Sequence, residues 1–365
     1  MAKNIMIVLL NDMFGGAEQV TKQIVDYFLR SGDHVDLFFV TKSKGNFWDD
    51  YENRRGIQIF RTNAKNEKNG FVPLVLKFLK RRKKNYDMVF STHIYLNSLL
   101  SILRKLNVIR TNRLVCRDSH AYYLVDKGNK LRLYNFLIKI GYGGQDLIIS
   151  QTEEMKNQLL VNNKKNKRLP KIVHVLGNPI DLREIIINED LSIPKKTIIS
   201  AGRLIEIKGF DILLRSFSNL KNFKEYTLIL LGEGVEENNL RKIAIDLGIS
   251  ENVKFLGFQK DVFSYFFHAD VCVVSSIREG FPNVLLQMIS QNNNVVSTLC
   301  ADGIQNINGL ITCESGSSQL LTKAIESAIN NHDNIKNRPV FDEEISKRTI
   351  DGFMNKIFEN LKPIK

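Results

Sequence analysis

Long apolar runs, paired cysteines and clustered metal ligands are all missing from this chain of 365 residues, and each absence removes a class of protein. The N-terminus leads from Lys3 and Asn4 into an apolar stretch at residues 5–10, far short of the ~20 residues that span a bilayer. A cytoplasmic protein that does not cross the membrane is expected. Cys116, Cys272, Cys300 and Cys313 are scattered and form no C-x-x-C pair, and three of them sit in or beside apolar runs. That usage fits a reducing compartment and leaves out a disulfide framework or a zinc site. No D-x-D pair or His-rich cluster stands out, so neither a metal nor another cofactor is expected. The fingerprint G-x-G-x-x-G is missing too, which leaves a dinucleotide reading without its main support.

What the chain does have is length and pattern. At 43% hydrophobic it is too long for one ordinary core and long enough for two. Short Val/Ile/Leu/Phe-rich runs alternate with longer segments of helical period, which implies βαβ units and parallel sheets. In the first half the runs lie at 5–10, 35–40, 57–61, 88–91, 114–117 and 147–150; in the second they lie at 197–202, 227–231, 253–256, 271–275, 294–297 and 310–312. The expected fold class is α/β, with two Rossmann-like domains facing across a cleft and function in the loops at the carboxyl ends of the strands. The junction is placed in the Lys/Asn-rich and Gly-Asn-Pro stretch from 163 to 190. This gives a first domain at 1–175 and a second at 176–344. Residues 343–361 carry Ile345, Ile350, Phe353, Met354, Ile357 and Leu361 at helical spacing, so a helix at 345–365 is expected to pack back toward the first domain.

The net charge of +13 is uneven: residues 1–171 hold 31 Lys+Arg against 15 Asp+Glu, leaving 21 against 24 for the rest. Such asymmetry points to a polyanionic partner, a nucleic acid or an anionic membrane surface. Nucleic acid lacks support, because no binding motif or aromatic-basic interleaving accompanies the charge. Residues 71–84 are apolar and then basic, and 99–113 and 130–139 repeat the texture, which suits a helix lying on anionic lipid. A crossover helix packed on its own sheet would look similar.

Four segments carry candidate chemistry. Gly15 and Gly16 fall between the first strand and a helix with Val20, Ile24, Val25, Phe28 and Leu29 on one face. Such a turn lets backbone N–H groups approach a phosphate at the positive helix end, although it could be a tight turn alone. Gly202 and Arg203 end a strand, and Lys208 follows five residues later on the same loop, so a guanidinium and an ammonium can converge on one diphosphate. Gly232-Glu233-Gly234 supplies another turn at a strand end. In Ser275-Ser276-Ile277-Arg278-Glu279-Gly280-Phe281-Pro282-Asn283-Val284, a carboxylate precedes a Gly turn and Pro282 falls where a helix can begin. The open N–H groups there would sit beside Glu279, which suits a sugar hydroxyl next to a phosphate.

Taken in order and spacing, Gly15-Gly16-Ala17-Glu18, Gly202-Arg203 with Lys208-Gly209, Gly232-Glu233-Gly234 and Glu279-Gly280-Phe281-Pro282-Asn283 resemble the family 4 retaining glycosyltransferases of the GT-B type over nearly the whole chain. The resemblance implies that Gly15 and Gly16 lie under a nucleotide-sugar donor. Gly202 and Gly234 would bind the donor, Arg203 and Lys208 would hold its diphosphate, and Glu279 would contact the donor sugar. Gly280 would bind the donor, and Phe281, Pro282, Asn283 and Val284 would present backbone amides. The family's E-x7-E here ends in Gln287, whose amide oxygen can still accept a ribose hydroxyl. Val115-Cys116-Arg117-Asp118-Ser119-His120 resembles the family's strand ending in a pocket histidine. This puts His120 near the sugar face and makes Arg117 a further phosphate or acceptor contact, with His93 lining the pocket. The resemblance also implies retention at the anomeric carbon, with cations and helix dipoles replacing a metal at the departing phosphate. A uridine diphosphate sugar is the default donor. A lipid-linked or cell-envelope glycan in capsule, O-antigen or lipopolysaccharide biosynthesis is the expected acceptor. A non-catalytic partner or sugar-binding scaffold, or a nucleotide-sugar epimerase, stays open beside it.

Overall fold

In the first strand, Asn4–Leu9 (β1), Met6 and Val8 turn into one apolar layer while Ile5, Ile7 and Leu9 turn into the other, as the two-residue period of a strand requires. Both faces are buried, which is why the run reads as continuously apolar rather than alternating. The computed structural model describes residues 2–361 except Lys44, Glu184 and His332, and of Leu124 and Val125 the backbone alone. The chain divides into two compact units, Met1–Pro179 with Ile350–Lys365, and Ile180–Thr349.

In the first unit β1 is joined by His34–Phe39 (β2), Ile57–Arg61 (β3), Asn85–Ser91 (β4), Arg110–Asp118 (β5), Leu147–Ser150 (β6) and Val173–Val175 (β7), in the order β3-β2-β1-β4-β5-β6-β7. Neighbouring strands are parallel throughout. β7 falls in what the sequence pattern assigns to the junction: three residues are too few to show a period, and pairing of Ile148 with Val173 reveals the strand. The second unit holds Thr197–Ala201 (β8), Thr227–Leu231 (β9), Val253–Phe255 (β10), Val271–Val274 (β11), Val295–Thr298 (β12) and Ile311–Cys313 (β13), ordered β10-β9-β8-β11-β12-β13 and again parallel. Both are doubly wound Rossmann-like sheets. The strand order reverses between β1 and β4 in one and between β8 and β11 in the other, and such switch points are where open α/β sheets bind ligands.

The C-terminal segment differs from the single helix expected at 345–365, whose last four positions, 362–365, lie outside the described residues. Asn337–Ser346 is one helix, and it buries Phe341 and Ile345 in the second unit. A short turn then lets Ile180 N–H donate to the Arg348 carbonyl at 2.8 Å and bridge Thr349, before a new helix runs from Ile350 to Asn360. That helix buries Ile350, Phe353, Met354 and Ile357 at i, i+3, i+4 and i+7 against the first unit. Its four side chains contribute on the order of 6–12 kcal/mol of gross transfer free energy, an upper figure. The pairing of Ile180 explains why the first unit extends to Pro179 rather than stopping at residue 175.

Three helices of one layer of the first sheet differ in what they expose. Helix Glu67–Lys80, started by the Asn66 side chain accepting from Asn69 N–H, buries Gly70, Leu74 and Phe78 yet leaves Val72 (70%), Leu76 and Leu79 exposed along the opposite stripe. Helix Gly128–Gly141 buries Tyr134 and Ile138 and exposes Leu133, Phe136 (57%) and Ile140. The stretch at 99–113 is different: helix Ile94–Lys105 sinks Leu100 and Leu103 into the core, and residues 110–113 begin β5. Among the described residues, no helix is long and apolar enough to cross a membrane.

Candidate active site

In the second unit, the loops after β8 and β11 interlock at the switch point. Gly209 has φ 62°, and a Cβ there would run into the Ser275 carbonyl, so only glycine lets the β8 loop pass. Ile277 N–H donates to the Ile207 carbonyl at 2.8 Å, and Ser275 Oγ donates to the Lys208 carbonyl at 2.9 Å. These bonds bring Lys208 Nζ to 2.8 Å from Glu279 Oε1, with the side chains 19% and 14% exposed. Ser276 Oγ donates to the same oxygen at 2.6 Å, while Thr298 Oγ1 holds the Ser276 carbonyl at 2.6 Å. Glu279 N–H donates to the Cys300 carbonyl at 2.8 Å, and burial with the adjacent Glu279 charge pushes the Cys300 thiol up to about 12, leaving it inert. Oε1 is therefore occupied, and Oε2 has no partner among the described residues. A carboxylate held this way offers one oxygen to a hydroxyl and has an ammonium beside it for an anion.

Around that pair, the β9 turn is tied in by Leu204 N–H to the Glu233 carbonyl at 2.9 Å, and a Cβ on Gly232 would strike Gly202. Gly234 packs as closely on Leu204. Arg203 is exposed and has no ion pair among the described residues; it is not drawn to Glu279. Gly280 is partly exposed, Phe281 is buried, and Arg348 lies over the Phe281 ring at 4.8 Å. Helix Asn283–Gln291 begins one residue later than a Pro at the first helical position would give: Pro282 takes the cap position, where no side chain bonds the helix end. Asn283, Val284 and Gln287 are partly buried on its first turns, and the Gln287 carbonyl accepts from Ser290 Oγ at 2.7 Å.

In the first unit, Gly15 caps helix Gly16–Arg30 in an extended conformation, with no side-chain bond. The Glu18 carboxylate lies where a Gly15 side chain would go, in the first turn of the helix, where a negative charge suits the dipole. Before this turn Asp12, fully buried, accepts from Ser43 Oγ at 2.8 Å, Gly45 N–H at 3.2 Å and Arg61 Nε at 3.2 Å. Arg117 is 1% exposed: one guanidinium nitrogen donates to Asn178 Oδ1, and Nε and Nη1 have no partner among the described residues. Burial lowers it to about 10, still charged at neutral pH. Next to it Asp118 accepts from Tyr142 Oη at 2.6 Å, Tyr122 Oη at 2.9 Å and Asn97 Nδ2 at 3.2 Å; burial still holds its carboxyl above the ordinary value.

His120 reaches the surface just after this cluster, with Nε2 2.6 Å from Asp126 Oδ2. Burial would raise the Asp126 carboxyl, but hydrogen bonds from Lys130 and His120 overcome that and hold it below the ordinary value. His93 is a helix cap, with Nδ1 accepting from Tyr95 N–H at 3.4 Å and its ring stacked on Tyr95 at 4.9 Å. Burial, with His120 and Lys130 nearby, lowers it to about 4, so it is uncharged at neutral pH. Sequence reasoning missed Ser276, Thr298, Asp126 and Lys130. Ser276 stood inside a recognised motif, whereas the Asp126 segment has no period to read.

Comparison with known proteins covers both units. The family model for Glycosyltransferase Family 4 matches residues 14–184, and that for Glycosyl transferases group 1 matches residues 183–348. A 246-residue stretch is 28% identical to the N-acetylgalactosamine-N,N'-diacetylbacillosaminyl-diphospho-undecaprenol 4-alpha-N-acetylgalactosaminyltransferase of Campylobacter jejuni, covering 66% of each chain. An uncharacterized glycosyltransferase of Methanocaldococcus jannaschii is 35% identical over 177 residues, 46% of this chain and 43% of its own. A lipopolysaccharide core biosynthesis glycosyltransferase of Rhizobium meliloti is 37% identical over 137 residues, 36% and 39% of the two chains. The chain thus spans between about two fifths and two thirds of these relatives' own length. Among solved structures, Anabaena HepE in complex with UDP and glucose superposes with TM-score 0.81 at 18% identity, covering 98% of this chain and 99% of that one. WaaG, a glycosyltransferase involved in lipopolysaccharide biosynthesis, gives 0.70 at 15% identity over 98% and 99%. At such identities the likeness speaks for the GT-B fold alone.

Proposed function

The chain belongs to the family 4 glycosyltransferases, and on that premise we propose that it moves a sugar, with retention, from a uridine diphosphate sugar to a lipid-linked or cell-envelope glycan during polysaccharide synthesis. The observation that carries the reading is the Lys208–Glu279–Ser276 cluster at the β8/β11 switch point, with Glu279 Oε2 left to accept a sugar hydroxyl. The bond from the anomeric carbon to the diphosphate oxygen breaks and its electron pair goes to that oxygen. The acceptor oxygen bonds the same face of the carbon, and its proton passes to the departing phosphate. Lys208, Arg203 and the uncapped N-terminus of helix Asn283–Gln291 meet the new charge without a metal ion. Printed names of the relatives favour the acceptor class: one acts on a diphospho-undecaprenol-linked sugar and another in lipopolysaccharide core synthesis.

The same reading places the first unit on the anionic inner face of the cytoplasmic membrane. Two exposed apolar stripes, Val72-Leu76-Leu79 and Leu133-Phe136-Ile140, lie on helices of one layer, flanked by Lys68, Lys80, Lys130, Arg132 and Lys139. The test is mass spectrometry of products from a panel of nucleotide sugars and a lipid-diphosphate-linked saccharide, in EDTA. Transfer with one donor is expected; neither transfer nor donor hydrolysis with any of them would overturn the reading.

A further inference from the structure

The residues around His120 form a device that the transfer reaction does not by itself require. Asp126 is 9% exposed, and both its oxygens are taken: Oδ2 faces His120 Nε2 at 2.6 Å, and Oδ1 accepts from Lys130 Nζ at 2.6 Å. The imidazole is 42% exposed, and Nδ1 has no partner among the described residues. Its backbone is pinned, since Ser119 Oγ donates to the Thr92 carbonyl and Asp118 is fixed by Tyr122, Tyr142 and Asn97. A carboxylate only accepts, so the ring nitrogen that faces it carries the hydrogen and the neutral ring keeps its lone pair on the other nitrogen.

We propose that Asp126 is a positioning residue that fixes His120 as the Nε2–H tautomer, so that Nδ1 is the acceptor offered to a hydroxyl of the sugar substrate, with Lys130 locking the carboxylate in place. The proposal deepens the functional reading and rests on it, because it assumes that His120 meets a sugar. Nothing in the transfer step changes: the ring accepts a hydrogen bond and returns unaltered. What the dyad adds is orientation, which spares the ring a choice of tautomers when substrate arrives.

Lys130 makes the idea testable. In Asp126→Asn the side chain keeps one oxygen and gains an NH2. Lys130 can only donate, so it claims that oxygen and turns the NH2 toward His120 Nε2. Nε2 must then accept, and the ring hydrogen moves to Nδ1. Nitrogen-15 NMR of the His120 imidazole at alkaline pH, where imidazoles are neutral, reads the tautomer directly. The expected result is Nε2–H in the wild type, Nδ1–H in Asp126→Asn, and recovery of Nε2–H in Asp126→Asn with Lys130→Met, where the amide is free to turn. UDP release from UDP-glucose, UDP-galactose and their N-acetyl forms should fall ~10²-fold in kcat for Asp126→Asn. An unchanged tautomer in a folded Asp126→Asn protein overturns the positioning role. A switched tautomer with an unchanged rate overturns the assignment of Nδ1 to the substrate, and with it the reading of His120.

Discussion

The two sheets share the order of six strands, the first adding β7 at its edge, yet their switch points are furnished differently. In the second unit an ammonium, a carboxylate and a hydroxyl from the β8 and β11 loops converge within hydrogen-bond reach of one oxygen. In the first, the charged groups Asp12, Arg117 and Asp118 are buried beneath the rim, and a histidine comes to the surface. The outer helices continue the contrast. Residues 77–84 hold Lys77, Lys80, Arg81, Arg82, Lys83 and Lys84 with no acid, whereas helix Gly16–Arg30 on the other layer balances Glu18 and Asp26 with Lys22 and Arg30. One scaffold thus carries two different rims: in open α/β sheets the strand order sets where a ligand can bind, and the loop residues set its chemistry.

Glu279→Ala should break the contrast most severely. It removes the oxygen offered to the sugar and leaves Lys208 without its partner, so UDP release from the active donor should drop ~10³-fold, measured as steady-state kcat. Next in size is the membrane surface. Phe136→Asp in the first unit should reduce co-sedimentation with anionic vesicles ~10-fold, while Ile245→Asp, also at an exposed apolar position but on the second unit, should leave it unchanged. Equal recovery of all proteins with neutral and anionic vesicles would remove the surface from the account.

A separate effect, on stability rather than on activity or binding, concerns His93. Its imidazole sits at about 4 when folded and near 6.5 in the unfolded chain, so only the unfolded chain takes up a proton between those values. Stability is therefore full well above pH 6.5 and falls as pH drops toward 4, by on the order of 3 kcal/mol. Thermal unfolding of wild type and His93→Gln should diverge in that window, with the variant losing less.

Much of this was legible in the sequence, for identifiable reasons. Strands buried on both faces read as apolar runs, so all but β7 are visible as such, and β7 is too short to carry a pattern. The glycines and the Glu279 motif are legible because turns at strand ends admit few residue types. Partners across the chain were not: Ser276 and Lys208 meet Glu279 only once the β8 and β11 loops cross, and Asp126 finds His120 through an irregular segment. Arg117, expected as a phosphate or acceptor contact, has a buried guanidinium that turns to Asn178, a partner 61 residues away that no local pattern announces. The C-terminal helix was read as continuous because Ile345 and Ile350 fit one period, although they belong to different cores.

The central claim is that Lys208 and its surroundings receive a nucleoside diphosphate. Isothermal titration of UDP in EDTA into wild type, Lys208→Met and Glu279→Gln tests it most directly. Lys208→Met leaves a lone carboxylate beside the phosphates and should weaken binding ~10- to 100-fold, while Glu279→Gln removes that repulsion and should bind UDP at least as tightly as the wild type. UDP affinity indifferent to Lys208→Met, or no UDP binding by the wild type, would contradict the account.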